Sequence, residues 1–191
     1  DYMMNGLFMT SDGVKAEYQR FFREYEQKLQ KAQRILSRRE KGSSRWYKQK
    51  QKVSGIHQKI MNKRHDLLHK LSFRLAEQYD VICIEDLNMK DMSQALKFGK
   101  SVADNSWSKF TSLLTYKLED RGKHLLKIDK WYPSSKTCSS CGEVKNKLSM
   151  SERVFKCKYC GFTVDRDNNA ALNIKNEGKR LLEEQFFPQP A

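Results

Sequence analysis

Four of the five cysteines stand in two matched pairs, and their spacing indicates a metal site. Fifteen residues separate Cys138-x2-Cys141 from Cys157-x2-Cys160, and a glycine follows each pair directly. Four thiolates at this spacing close a tetrahedron around zinc and leave no position for a substrate. A thioredoxin-like redox pair fits poorly, because there are two matched pairs and no flanking βαβ pattern. The sequence therefore predicts one structural zinc ion.

Three acidic residues occupy positions where catalytic carboxylates are useful. Asp1 belongs to the first predicted strand, Glu85 ends a buried strand and Asp167 begins the last helix. Each has an ordinary explanation: a chain terminus, a solvated acid at a strand end and a helix N-cap respectively. Together they could bind Mg²⁺, which prefers hard oxygen ligands, and two such ions about 4 Å apart hydrolyse phosphodiesters in many enzymes. Spacing alone leaves the neighbouring Asp86 and Asp165 equally open.

The charge of the chain favours a polyanionic partner. Its 191 residues include 37 Lys and Arg against 23 Asp and Glu, a formal charge of +14. The segment 15–79 holds 18 basic and 6 acidic residues, so it supplies +12 of that excess. We expect this segment to bind the phosphate backbone of a nucleic acid without sequence preference, with Lys48, Lys50 and Lys52 among the contacts. The alternative is a solvated, charged helical surface.

The sequence carries no pattern typical of a membrane or secreted protein. There is no run of 18 apolar residues and no signal-peptide pattern, so we expect a soluble, intracellular protein. The first residue is Asp1 rather than a methionine, which indicates a piece cut from a longer protein.

An alternation of strands and helices must position the candidate residues. The sequence predicts, in order, a strand pair around the Asp12-Gly13 turn, two helices between Lys15 and Gln78 that break at 41–46, a strand over 80–87, a helix from Asn105 or Ser106 to Gly122, a strand over 123–132, the cysteine insert and a closing helix. The strand 80–87 is a continuous apolar run, typical of a central strand buried on both faces, and Cys83 in it is expected to be buried and inert. This order predicts a mixed α/β fold.

Three blocks of the sequence resemble one protein family. They are DYMMNGLFMTSDG at 1–13, CIEDLNM at 83–89, and WYPSSKTCSSCG with FKCKYCGFTVDRDNNAALNI between 131 and 174. These blocks are similar to the RuvC-like nuclease half of the transposon-encoded TnpB (OrfB) family and of related miniature type V CRISPR effectors. The resemblance covers nearly the whole chain, and it implies an RNase H-like (RuvC) mixed sheet with a helical-hairpin insert and a four-cysteine zinc ribbon.

The resemblance also implies roles for individual residues. It maps an Mg²⁺-binding triad onto Asp1, Glu85 and Asp167, the last through the pattern Asp-x-Asn-x-Ala at 167–171. It implies an endonuclease that cleaves DNA under the direction of a guide RNA and comes from a prokaryote or a mobile element. Arg166 is expected to contact the scissile phosphate, and Asn169 to hold the helix start or the metal site.

The implied organisation is a nuclease core that the ribbon interrupts. The core covers 1–130 with its helical insert at about 15–79, the ribbon covers 131–164, and 165–191 closes the core. Two departures stand out: family members often have glycine where this chain has Met3, and the half that recognises guide RNA and the target-adjacent motif is absent, along with half of the first strand. We therefore expect the isolated chain to be unstable or inactive.

Two other functions remain open at this point. The chain could be a non-catalytic nucleic-acid-binding module, in which the three acids are structural and stay apart. It could also be a transposase that performs strand transfer with the same fold and metals. Convergence of the three carboxylates would argue against the first, and strand-transfer products on labelled DNA would identify the second.

Overall fold

Strands and helices alternate in the predicted order in a computed structural model of the chain, described over residues 1–3, 6–89, 91–92, 106–149 and 151–186. The strands are β1 (Phe8–Met9), β2 (Lys15–Ala16), β3 (Val81–Glu85), β4 (His124–Ile128), β5 (Val154–Lys156) and β6 (Thr163–Asp165). The helices are α1 (Phe21–Ser37), α2 (Ser44–Gln78), α3 (Trp107–Glu119) and α4 (Arg166–Phe186).

The chain begins with the predicted hairpin. β1 and β2 pair antiparallel with Phe8 opposite Ala16, and Gly13 in the connecting turn has a φ of 79°, which favours glycine. The predicted helix start at Lys15 was wrong, because this residue pairs with Met9 in the hairpin and α1 begins only at Phe21. Backbone pairing within the hairpin outweighs the helix propensity of residues 15–20.

The two long helices pack against each other as antiparallel neighbours. Ser43 caps α2 by accepting a hydrogen bond from the Trp46 amide at 3.2 Å. The Gln49 side chain donates to the Ala32 carbonyl at 2.9 Å, and Lys63 pairs with Glu24 at 2.8 Å. Within the described ranges, no helix is both long enough and apolar enough to cross a membrane.

The strand β3 pairs in parallel with β4 over their full lengths, with Val81 opposite His124 and Glu85 opposite Ile128. A single mixed sheet with β3 at its centre was predicted, and this was wrong for the described ranges, where the strands form three separate pairs. Residues of β3 line an apolar cavity of 170 Å³ together with Phe8, Trp107 and Phe110. Most β3 side chains are only half-buried, whereas a central strand was expected to be buried on both faces.

The helix α4 packs closely on β3 through a glycine. A Cβ atom added at Gly178 would lie 2.1 Å from the Cys83 sulfur, so only glycine fits there. Cys83 is half-buried rather than buried, and desolvation raises the pKa of its thiol, which keeps it protonated.

The ends of α3 agree only in part with the predicted signals. Gly122 follows the helix with a φ of 64°, as expected of a glycine stop. Ser106 occupies the N-cap position, but it has a φ of 50° and its side chain makes no capping hydrogen bond. Asn105, the other predicted cap, lies outside the described residues.

Candidate active site and metal centre

The four paired cysteines come together as predicted. One ligand atom from each of Cys138, Cys141, Cys157 and Cys160 lies within 4.8 Å of the others. The sulfur of Cys138 is 3.7 Å from that of Cys160, and the sulfur of Cys141 is 3.7 Å from that of Cys157. A tetrahedral zinc ion with Zn–S bonds of about 2.3 Å holds its sulfurs about 3.8 Å apart. The cluster is therefore compatible with one structural zinc ion.

Local backbone geometry builds this cluster. Gly142 and Gly161, directly after the two pairs, have φ values of 79° and 75°, and their amides donate to the carbonyls of Cys138 and Cys157. Glycine is needed at such positions because a side chain is strained there. Hydrogen bonds from the backbone of Cys160 and Tyr159 lower the pKa of Cys157 and so favour its thiolate, the form that binds metal.

The three predicted catalytic acids line one cleft of about 450 Å³. Asp1 exchanges two backbone hydrogen bonds of 2.9 Å with Met9, which ties it to β1. Glu85 is the last residue of β3, and Asp167 is the second residue of α4. The charges of Glu85 and Asp167 are close enough to act on the backbone nitrogen of Asp1. Three distant parts of the chain thus contribute acids to the lining of one cleft.

The carboxylates are more widely spaced than the cysteines. Among the residues that the structure describes, the cysteine cluster is the one group of three or more His, Cys, Asp or Glu side chains close enough to hold a single ion. Like charges repel one another, so acids without a cation are expected to spread across a cleft rather than gather at one point.

Asp165 and Asp86, which adjoin two of the predicted catalytic acids in the sequence, have different contacts in the structure. Asp165 caps α4, because its carboxylate accepts hydrogen bonds from the Asp167 amide at 2.9 Å and from the Asn168 amide at 3.1 Å. The N-cap explanation for Asp167 is therefore wrong, and its carboxylate lies in the cleft beside the Arg166 guanidinium at 3.4 Å. Asp86 pairs with Lys127 at 2.9 Å and does not line this cleft.

Two buried asparagines join the first cysteine turn to the helix that carries Asp167. The Asn169 side chain accepts from the Ser139 amide at 3.0 Å and donates to the Thr137 carbonyl at 2.7 Å. Asn173, one turn later, donates to the Thr137 carbonyl at 2.6 Å and to the Ser134 carbonyl at 2.7 Å. The expectation that Asn169 holds the helix start was wrong, because Asp165 does so. Asn169 instead fixes the ribbon against α4.

Sequence reasoning missed Asn173 and Ser134. Asn173 shares a helix face with Asn169, and this four-residue spacing was the available signal. The Ser134 hydroxyl donates a hydrogen bond to the Glu85 carboxylate across the cleft. No pattern in the sequence pointed to that contact, which depends on how the turn after β4 returns towards β3.

The remaining predicted positions fall into two groups. Arg166 lines the cleft with the three acids, and Met3, at the family's usual glycine position, is buried against Met9 and Ala171. Lys48, Lys50 and Lys52 are exposed on α2 and do not line the cleft. Lys50 also stacks over the Trp46 ring, with its nitrogen 5.1 Å from the ring centroid.

Two family models match the chain in succession. Residues 1–96 match the OrfB IS605 family, described as "Probable transposase", and these are half of the chain. The chain belongs to the OrfB family. Residues 107–174 match a second model, described as "Cas12f1-like, TNB domain", which covers the cysteine cluster and the start of α4. The family predicted from the sequence blocks is thereby confirmed.

Curated relatives of this OrfB chain are longer than it is. A protein of Streptomyces pristinaespiralis named "Putative RNA-guided DNA endonuclease" is 39% identical over 178 residues, which are 93% of this chain and 44% of that protein. A protein of Escherichia coli named "Putative RNA-guided DNA endonuclease InsQ" is 33% identical over 191 residues. This match covers 92% of this chain and 47% of that protein. The chain spans less than half the length of these relatives.

A solved structure shows the same fold at low sequence identity. The chain matches the protein in a cryo-EM structure of a Cas12f1–sgRNA–target DNA complex with a TM-score of 0.59 and 22% identity. The match covers 85% of this chain and 43% of that one. This OrfB chain therefore has an α/β fold related to part of Cas12f1.

Proposed function

We propose that this chain is the nuclease region of an RNA-guided DNA endonuclease, and that Asp1, Glu85 and Asp167 hold two Mg²⁺ ions for hydrolysis of a phosphodiester. The observation that carries the proposal is the shared cleft: three acids from the chain start, the end of β3 and the start of α4 line it together. The names of the two curated relatives support the same activity and the same partners, DNA and a guide RNA.

The residues present suit Mg²⁺. Carboxylate oxygens are its preferred protein ligands, and ligands for two ions about 4 Å apart need a wider site than ligands for one. Bound there, the ions would supply an activated water and stabilise the leaving 3′ oxygen. A spread of three acids over one cleft suits such a pair better than a single ion.

The protein's own groups would orient the substrate and the acids. The Ser134 hydroxyl holds one oxygen of Glu85, which limits the rotation of that carboxylate. Arg166 lies at the cleft beside Asp167, where its guanidinium could bind a phosphate of the incoming strand. Asn169 and Asn173 connect the ribbon to α4 directly behind Asp167. We propose that the zinc ribbon is structural and keeps this wall of the cleft in place.

The proposal is tested by cleavage of labelled target DNA with the native full-length protein, its guide RNA and Mg²⁺. We expect products with 5′-phosphate and 3′-hydroxyl ends, no cleavage without Mg²⁺, and no cleavage without the guide. Joined products in which a 3′ end has attacked a second DNA would instead establish strand transfer.

A non-catalytic binding module is the second candidate, because the exposed lysines of α2 provide a phosphate-binding surface away from the cleft. On this alternative, DNA binding would be normal and neither Mg²⁺ nor Mn²⁺ would give cleavage at any protein concentration. Guided binding without products would therefore overturn the nuclease proposal.

A further inference from the structure

Trp131 is an exposed tryptophan at the rim of the acid cleft. Its residue surface is 81% exposed, although a tryptophan ring usually contributes to stability by being buried. The same residue lines the cleft that holds Asp1, Glu85 and Asp167. Its position at the rim of this cleft makes the ring accessible to a ligand that enters the cleft.

The backbone around Trp131 is held by a network of short turns. The Asp129 carboxylate accepts a hydrogen bond from the Trp131 amide at 2.6 Å, and the Asp129 carbonyl accepts one from the Tyr132 amide at 3.1 Å. The Tyr132 carbonyl then accepts from the Ser134 amide at 2.8 Å. The ring is therefore presented from a fixed turn directly after β4, so that little backbone entropy is lost when a ligand binds.

Three cationic side chains line the same cleft as this ring, together with the three acids. The Lys130 nitrogen lies 5.0 Å from the centroid of the Trp131 ring, and Lys136 and Arg166 line the same cleft. An aromatic face flanked by cations is typical of sites for single-stranded nucleic acid, where the ring stacks on a base and the cations bind phosphates. The cations beside the ring are complementary to phosphates, and the net charge of the chain favours the same polyanionic partner.

We propose that the Trp131 ring stacks on an unpaired base of the DNA strand that enters the cleft, while Lys130 binds the adjoining phosphate. The identity of the strand as DNA rests on the proposed function. In a duplex both faces of each base are covered by neighbouring bases, so a stacking ring selects single-stranded DNA. Trp131 would thereby restrict the cleft to a strand that is already unpaired.

The test compares two strands that differ only in their bases. Binding of oligothymidine and of a fully abasic strand of the same length, about 12 nucleotides, is measured with the native full-length protein and no Mg²⁺. Both strands carry the same phosphates, so charge contacts cancel in the ratio of their affinities. We expect the wild type to prefer oligothymidine by on the order of 10-fold, Trp131→Ala to lose most of that preference, and Trp131→Phe to keep most of it.

Two variants serve as matched controls. Tyr159 is also 81% exposed but does not line the cleft, and Tyr159→Ala should leave the affinity ratio unchanged. Lys130→Gln should weaken the binding of both strands by the same factor. An unchanged ratio in Trp131→Ala, with an unchanged melting temperature, would overturn the proposal. So would a change in self-association without a change in the ratio, because the ring would then be a protein contact.

These outcomes are separate from those for the nuclease proposal. The binding measurement involves no cleavage, so a protein that never cuts DNA can still show the stacking preference. Conversely, normal guided cleavage together with an unchanged affinity ratio in Trp131→Ala would overturn the stacking role alone.

Discussion

The zinc ribbon and the acid cleft are two candidate metal sites that are built in opposite ways. The ribbon takes its four sulfurs from the short segment 138–160, and they lie close enough to share one ion. The cleft takes its carboxylates from positions 1, 85 and 167, and they share it because the chain start, β3 and α4 border the same cleft. If both sites bind metal as proposed, the ribbon depends on its ion for folding, whereas the cleft ligands are positioned by the folded chain.

Because of this difference, loss of a ligand should have different consequences at the two sites. Metal binding by a small cysteine site is coupled to folding, so loss of one ligand lowers stability. Loss of a cleft carboxylate removes repulsion between like charges and leaves the packing intact, so it is expected to affect chemistry alone. Substitutions at the two sites therefore test the comparison directly.

The largest expected effect is the loss of cleavage in Asp167→Asn. The amide keeps the size of the side chain but lacks the charge that would hold Mg²⁺ on the proposed mechanism, so guided cleavage should slow by on the order of 10³-fold or more. The melting temperature and guided DNA binding should not change. Rates are measured on labelled target DNA with guide RNA and Mg²⁺.

The matched control is Asp165→Asn, two residues away. Asparagine caps helices as well as aspartate does, so α4 and cleavage should both survive. Glu85→Gln and Asp1→Asn should behave like Asp167→Asn, and combinations should add little, because a site that lacks one ligand has little activity left to lose. Full activity in Asp167→Asn beside an inactive Asp165→Asn would reverse the assignment.

The next largest effect is expected when zinc is lost from the ribbon. Cys138→Ser, or a strong chelator, should lower the free energy of unfolding by about 3 kcal/mol or more. Cleavage should disappear with it, because Asn169 and Asn173 fasten this turn to the helix that carries Asp167. Zinc content and thermal unfolding are measured on the same samples.

Cys83→Ser is the control for that experiment, since Cys83 is a thiol outside the cluster. It should keep one zinc ion per chain. A zinc-free protein that retains its melting temperature and its cleavage rate would contradict a structural role for the ribbon.

A smaller effect is expected from Gly178→Ala, which tests the packing between the elements that carry Glu85 and Asp167. The added methyl group would lie 2.1 Å from the Cys83 sulfur, so α4 must move away from β3. We expect a loss of about 2 kcal/mol in the free energy of unfolding, as for overpacking elsewhere, and a reduced cleavage rate.

A glycine-to-alanine substitution at a position without close neighbours provides the control. Gly55 lies within α2, and an added Cβ there meets no atom within 4 Å. Gly55→Ala should therefore raise the free energy of unfolding by about 0.5–1 kcal/mol, because alanine has the higher helix propensity. Equal effects at the two glycines would show that the α4–β3 contact does not hold the cleft together.

The smallest effect is expected on the exposed surface of α2. Replacing Lys48, Lys50 and Lys52 with Gln should reduce the slope of log affinity against log salt by up to about 3, since each bound phosphate releases a counterion. The cleavage rate at saturating DNA should remain normal. An unchanged slope would identify this surface as solvated charge that binds no nucleic acid.

The ribbon and the helices were largely predictable because their signals are local. Paired cysteines followed by glycine predicted the cluster, and the structure adds the positive φ angles of Gly142 and Gly161. Helix composition interrupted at 41–46 predicted two helices, although the start at Lys15 was too early because the hairpin pairs that residue. Residues within one helical turn or one cysteine pair interact with one another independently of the tertiary fold.

The surroundings of β3 were less predictable. Its apolar composition indicated a strand but not the number of strands that pair with it. Strands pair through backbone groups, and these do not depend on the side chains of β3. The cavity beside Phe8 and Phe110, and the half-buried state of Cys83, follow from that packing alone.

The sequence by itself determined the cysteine cluster, the helices and the order of the elements, because each depends on residues near one another in the chain. Only the tertiary structure decided which acids share a cleft. Asp165 and Asp167 are nearly equivalent in sequence, yet the direction in which α4 begins assigns one carboxylate to the helix cap and the other to the cleft. The contacts of Ser134 with Glu85 and of Asn173 with Ser134 also join residues at least 39 positions apart. Such contacts exist only once strands and helices have packed, because no local preference of the chain brings them together.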